Sequence, residues 1–173
     1  MRDGKLDALL DVAQNDERKP QLVWTRQALL VLALHLVGNR TQNDVLPGFA
    51  AMQHKRVGIT RGYEYPGQMT GQPGIQLVES PSELGNLRHL AKGDIDFMLL
   101  SRGTLATLLA KLGPQERQHI RDWGQIDQLP LYLAFSPGQP LAAEWAAAFD
   151  RGMQAIRKSG EDQRIHERWR AVP

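Results

Sequence analysis

Residues 80–100, SPSELGNLRHLAKGDIDFMLL, constrain the fold more than any other stretch. They place a capped helix directly before a buried strand. Ser80 is positioned to cap the helix, Pro81 suits the first helical position, and Glu83 closes a capping box. Leu84, Leu87, Leu90 and Ala91 share one face at helical spacing, so that face is the one to bury. Gly93 is a fit stop. Ile95–Leu100 follows as a nearly continuous apolar run, which is how a strand covered on both faces reads.

The flanking sequence repeats the alternation. Arg56–Thr60 and Ile75–Val78 read as strands, with a short helix or turn after Gly62 between them. Thr104–Leu112 reads as a helix stopped by Gly113-Pro114, and Leu131–Ser136 as a strand. Between them 115–129 is polar, with a helical turn expected over Gln115–Arg121. Upstream, Leu6–Val12 reads as a short strand and Asn15–Lys19 as a polar turn. Ala28–Val37 suits a strand ended by Gly38-Asn39, although its Leu and Ala would also suit a buried helix. Asn39–His54 reads as a connector with a weak helical turn around Leu46–Met52. In the tail, Leu141, Trp145, Phe149, Met153 and Ile156 form a helical stripe expected to face the core. Ser159-Gly160 breaks it, and a second short helix carries Ile165 and Trp169.

Strands alternating with helices imply an α/β fold with a mainly parallel sheet. Ligands of such sheets bind outside the carboxyl ends of the strands. Thr60–Tyr65 and Leu100–Thr104 are the two places that answer this description.

Composition removes several functional classes. The 173 residues suffice for one domain or two small lobes, and 42% hydrophobic content provides a core. The net charge is +2, and arginines alternate with acids, as in EDQRIHERWR, so the concentrated basic stripe of a nucleic-acid binder is missing. There is no cysteine, hence no disulfide and no thiolate metal site. The five histidines are scattered without metal-ligand spacing, so neither metal nor cofactor is expected. ALLVLALHLVG is about half of a membrane span and contains His35. MRDGKLDALL has charges where the apolar region of a secretion signal would lie, so no signal peptide is expected in this chain.

Four segments carry a family resemblance in order: GKLDALLDVAQNDERKP, KRVGITRGYEY, LRHLAKGDIDFMLLSR, and LPLYLAFSPGQPLAAEWAAAFDRGMQAIRKSGEDQRIHERW. Together they resemble the type 2 periplasmic solute-binding proteins, specifically the family 3 group that serves amino-acid ABC transporters. The resemblance implies a type 2 periplasmic-binding-protein-like α/β fold of two lobes with mainly parallel sheets. Lobe 1 would be residues 1–32 plus 131–173, and lobe 2 residues 33–130. Family members begin with a secretion signal and two βα units of lobe 1 that this chain lacks, so lobe 1 is expected to be incomplete and truncated at its N-terminal side. An uncovered strand edge invites pairing with another chain, so a homo-oligomer formed by strand or helix exchange is expected.

The resemblance also assigns ligand-binding residues. Arg18 falls where the family's carboxylate-binding arginine lies, work suited to a planar fork, although it also reads as a surface arginine beside Asp16 and Glu17. Thr60, Arg61, Tyr63, Glu64 and Tyr65 match the turn where backbone N–H groups and side chains meet the ligand, with Gly62 allowing a tight turn. Tyr63 and Tyr65 can pack on a ligand and donate an O–H, whereas Glu64 stands where the family often has a small hydroxyl residue. Ser101 falls where amino-acid binders place an aspartate for the α-ammonium group; serine offers a hydrogen bond but no charge. Arg102 beside it can answer an acidic group.

The implied function is a periplasmic solute-binding protein of an ABC importer, taking a small polar solute or amino acid between two lobes. The lobes would close about crossing strands near 31–33 and 130–132, and the partner would be an ABC permease. One alternative is a sensory or regulatory module of the same fold that acts by dimerising. Another is a dehydratase-like enzyme, for which Glu64 with His54 is the one acid–base pair that can be drawn. The expectation is a non-enzyme.

Overall fold

A computed structural model describes residues 6–41 and 48–170. In chain order these form β1 (Ala8–Ala13), β2 (Val23–Trp24), β3 (Leu30–Asn39), β4 (Arg56–Thr60) and α1 (Gly67–Thr70). There follow β5 (Gln76–Ser80), α2 (Glu83–Lys92), β6 (Phe97–Ser101), α3 (Arg102–Leu109) and α4 (Pro114–Arg117). The chain ends in β7 (Ile120–Phe135), α5 (Ala142–Lys158) and α6 (Glu161–Arg170). It divides into two compact units, Met1–Leu32 with Leu129–Pro173 and Ala33–Gln128.

The second unit, Ala33–Gln128, is the α/β part. β4 pairs in parallel with β5, Val57 opposite Leu77, and with β6, Val57 opposite Phe97. β6 also pairs with β3, antiparallel, with Leu36 opposite Leu99. The expected parallel arrangement is thus that of β5, β4 and β6. The core forms because α2 lays Leu87 and Leu90, both fully buried, against Val37, Met98 and Leu100. α2 approaches β4 so closely that a Cβ on Gly58 would meet the Ile95 side chain at 2.5 Å and Asn86 Oδ1 at 2.9 Å.

The ends of α2 correct one expectation and explain it. Ser82, not Ser80, is the N-cap: its Oγ accepts from Gly85 N at 3.1 Å. Ser80 ends β5, fully buried, and donates its hydroxyl to Ser82 O at 3.1 Å. Pro81 therefore lies before the cap rather than in the first turn. Gly93 closes the helix in the left-handed region at φ 80, with its N–H donating to Leu90 O and that of Asp94 to His89 O. Asp96 then holds the starts of β4 and β6 together, accepting from Arg56 N and Nη2 at 2.8 Å and from Nε at 3.2 Å.

The first unit, Met1–Leu32 with Leu129–Pro173, is built on the second half of β7. β1 and β2 both pair with it, antiparallel, with Ala8 and Val23 each opposite Phe135. α5 covers that pairing through Ala142 and Ala146, which pack on Phe135. The expected stripe is only partly right. Met153 is buried, but Leu141 is 45% and Trp145 38% exposed. The alanines form the buried face because their small side chains let the helix settle on the sheet, and Trp145 packs at the rim, 5.8 Å from the Phe135 ring.

Two strands differ from the expectation. β3 runs on through Gly38 and Asn39, because Asn39 is buried with its Nδ2 donating to Leu90 O at 2.8 Å. β7 has 16 residues and starts in the polar stretch 115–129. Its polar half mixes exposed with buried or half-buried positions, and Arg40 N donates to His119 O at 2.8 Å just before it begins. In the connector, Phe49–Met52 forms a 3-10 turn, while Leu46 and Pro47 lie outside the described residues.

Candidate functional site

β4 and β6 lie side by side and in parallel, so their carboxyl ends, Thr60 and Ser101, lie at the same edge of the sheet within the second unit. This follows from the sequence: each strand is fed by a tight turn at its amino end, and those turns are tied by Arg56 and Asp96.

The turn after β4 is folded on itself. Thr60 is 4% exposed, its N–H donates to the Tyr65 hydroxyl at 2.8 Å, and its Oγ1 accepts from Asn86 Nδ2 at 3.1 Å. Arg61 N donates to Ser80 O at 2.9 Å, which joins this turn to the end of β5. Gly62 sits at φ 79, and the Tyr63 N–H then donates to Thr60 O at 3.1 Å, closing the turn. A side chain at position 62 would strain it. Tyr63 is 57% exposed, and Glu64 and Tyr65 are half-buried. The Arg61 guanidinium pairs with Glu79 at 2.7 Å on the open surface, where such a pair contributes about 0–1 kcal/mol.

Burial raises the Tyr65 phenol above its ordinary value, against the opposing hydrogen bonds from Thr60, and the charge of Glu83 adds to the rise. Burial likewise raises the Glu83 carboxyl at the first position of α2. The Tyr65 hydroxyl is therefore neutral at neutral pH.

After β6, Ser101 is the N-cap of α3. Its Oγ accepts from Thr104 N at 3.2 Å and its hydroxyl donates to Thr104 Oγ1 at 2.8 Å. Ser101 is half-buried and Arg102 exposed. The structure thus brings Thr60, Arg61, Tyr63, Glu64, Tyr65 and Ser101 to the strand ends of one unit. Arg18 belongs to the other unit, is exposed, and stands before the 3-10 turn Lys19–Gln21 with its N–H donating to Asn15 Oδ1 at 2.7 Å. His54 is exposed, at φ 56, with its ring against Gly74.

Sequence reasoning missed Asn86, which is fully buried and holds the Thr60 hydroxyl from α2. Its signal is an amide beside Leu87 on the helix face that otherwise carries leucines. Asn86 Oδ1 has no hydrogen-bond partner among the described residues. Among the described residues no group of three or more His, Asp or Glu is placed to hold a metal ion, and no helix is long and apolar enough to cross a membrane.

No family model matches the chain, and no curated protein matches it. Solved structures do. A histidine kinase sensor domain with similarity to periplasmic binding proteins is 20% identical, with a TM-score of 0.74 over 97% of this chain and 71% of that one. The fold is periplasmic-binding-protein-like, type 2. An ancestral arginine-binding protein bound to arginine is 16% identical, with a TM-score of 0.74 over 97% of this chain and 73% of that one. The GluR0 ligand-binding core in complex with L-glutamate is 16% identical, with a TM-score of 0.74 over 97% of this chain and 74% of that one. These neighbours are binding proteins and a sensor domain rather than enzymes. In this periplasmic-binding-protein-like fold, the Thr60–Tyr65 turn and Ser101 stand at the carboxyl ends of parallel strands, where open α/β sheets take their ligands.

Proposed function

We propose that the chain is a non-enzymatic binding protein for a small polar solute, an amino acid or related carboxylate. Thr60, Arg61, Tyr63, Glu64, Tyr65 and Ser101 would meet the solute from residues 33–130, and Arg18 would meet it from residues 1–32 plus 131–173. The observation that carries this reading is the fold likeness over 97% of the chain to an arginine-bound binding protein and a glutamate-bound core. The site chemistry narrows the ligand class. Ser101 is neutral and already caps α3, so it supplies no ion pair to an α-ammonium group. A ligand held mainly through its carboxylate fits better than one that depends on its ammonium.

The same reading extends to place and partners: a periplasmic or extracellular location, an ABC permease as recipient, and self-association through the edge of the first unit. β1 ends the strand order there, and Leu10 is 66% exposed. Light scattering is expected to find a dimer or larger; a monomer at every concentration overturns that part. A sensory input module is the second reading, favoured by the likeness to a kinase sensor domain.

A thermal-shift screen of amino acids, polyamines and small carboxylates tests the binding itself. A ligand at a hundredfold excess over its Kd adds about 2.7 kcal/mol, a rise of roughly 5–10 °C. Arg18→Ala and Ser101→Ala are expected to abolish or shrink the shift. A screen without any shift, or a shift that both variants retain, sinks the assignment.

A further inference from the structure

The unit made of Met1–Leu32 with Leu129–Pro173 holds a groove of about 440 Å³ between β2 and α5. Its floor is α5, where Ala143 and Ala147 are exposed and carry nothing beyond Cβ. Its wall is Trp24, fixed from two sides: the indole N–H donates to Lys19 O at 3.1 Å, and Tyr132 stands edge-on at 6.3 Å and 87°. Its charged members are Arg26, Asp150 and Arg151, with Gln27 and Gln154 beside them.

These three charges do not neutralise one another. The Asp150 carboxylate accepts the backbone N–H of Arg26 at 2.9 Å and that of Gln27 at 2.8 Å, so it holds the turn after β2 onto α5. Arg157 secures the same turn by bonding the Gln27 side chain and, at 2.8 Å, Ala28 O. The guanidinium groups of Arg26 and Arg151 have no hydrogen bond or ion pair among the described residues. A groove of this volume is in the range of small-ligand sites. With a flat alanine floor, one rigid aromatic wall and two uncommitted guanidinium forks, it suits a flat molecule that carries an anion.

We propose that this groove binds a planar organic anion, an aromatic carboxylate, whose carboxylate is held by Arg26 and Arg151 while its ring lies on the alanine floor beside Trp24. The two forks select the charged group, and the floor and wall select the ring. Asp150 disfavours a second negative charge, so a monoanion is preferred over a dianion. This site lies within one unit and stands whether or not the strand-end site takes a solute.

The test is a benzoate titration followed by NMR at the Trp24 indole N–H, assigned through Trp24→Phe. Saturable shifts are expected. The double variant Arg26→Gln, Arg151→Gln is expected to weaken binding about tenfold or more, since both charge-assisted contacts are lost. Both arginines are exposed, and an unchanged melting temperature shows that the variant is folded. Inorganic phosphate, which has charge but no ring, is expected to bind more weakly than benzoate. The proposal is overturned if millimolar benzoate leaves the indole signal unmoved, or if the double variant binds benzoate like the wild type. It is also overturned if phosphate binds as well as benzoate does.

Discussion

Two short apolar strands of similar composition have opposite surroundings. β6 reads FMLLS, and Phe97, Met98, Leu99 and Leu100 are all at most 4% exposed. β1 reads ALLDVA, and Leu9 is 36% and Leu10 66% exposed. Both are read as strands from their apolar residues; their neighbours differ. β6 lies between β3 and β4 and packs on α2, whereas β1 ends the strand order with β7 as its one partner there. β1 is also interrupted: its register slips between Leu9 and Val12, with Asp11 at φ 64. That irregularity bends the strand locally. An apolar run therefore identifies a strand, while the number of neighbours decides how much of it leaves water.

Truncating one residue in each strand should have very different effects. Phe97→Ala should cost about 3–5 kcal/mol, because it removes a fully buried ring and leaves a cavity. Leu10→Ala should cost within about 0.5 kcal/mol, as exposed positions do. Denaturant midpoints read both, and equal losses would mean that β1 is covered in solution.

The second test concerns how β6 is anchored. Burial pushes the Asp96 carboxyl up, but its hydrogen bonds to Arg56 and the charge of that guanidinium outweigh burial, and the value ends below the ordinary one. The folded state therefore binds this proton less readily than the unfolded chain. The stabilisation is complete above the unfolded value of about 3.9 and is lost as pH falls through the lower folded value. Asp96→Asn should be less stable than the wild type at neutral pH, with the difference closing below about pH 4. Melting curves across that window check it; parallel curves would remove Asp96 from the account.

The smallest effect separates the two serines before α2. Ser82→Ala should cost about 1 kcal/mol and Ser82→Gly only a few tenths, the signature of an N-cap. If Ser82→Ala is neutral, the cap seen at 3.1 Å to Gly85 N contributes nothing in solution.

Most elements of the residues 56–112 were legible because their signals are local. Leucines at helical spacing, Gly93 in a left-handed stop and an unbroken apolar run each state their own conformation. The misreadings came where two local signals competed or where the partner was distant. Ser80 and Ser82 both suit a cap, and the choice fell to Ser82 because Ser80 is held in β5 beside Thr60. The polar half of β7 has weak strand character of its own. The turn after β4 was recognisable from Gly62, but its internal bonds were not. Asn86 reaches Thr60 from 26 residues away, and nothing in the local sequence states that contact.

Local sequence was enough for the α/β alternation, the capped helix before a doubly covered strand, and the position of the Thr60–Tyr65 turn at a strand end. These depend on spacing, turn chemistry and apolar runs, all set within a few residues. Folding across the chain set which apolar residues leave water, the pairing of Arg61 with Glu79, the capping of α3 by Ser101, and the lack of any hydrogen bond or ion pair at the Arg26 and Arg151 guanidinium groups among the described residues. Whether a polar group is available to a ligand depends on the partners folding brings to it, and those partners lie anywhere in the chain.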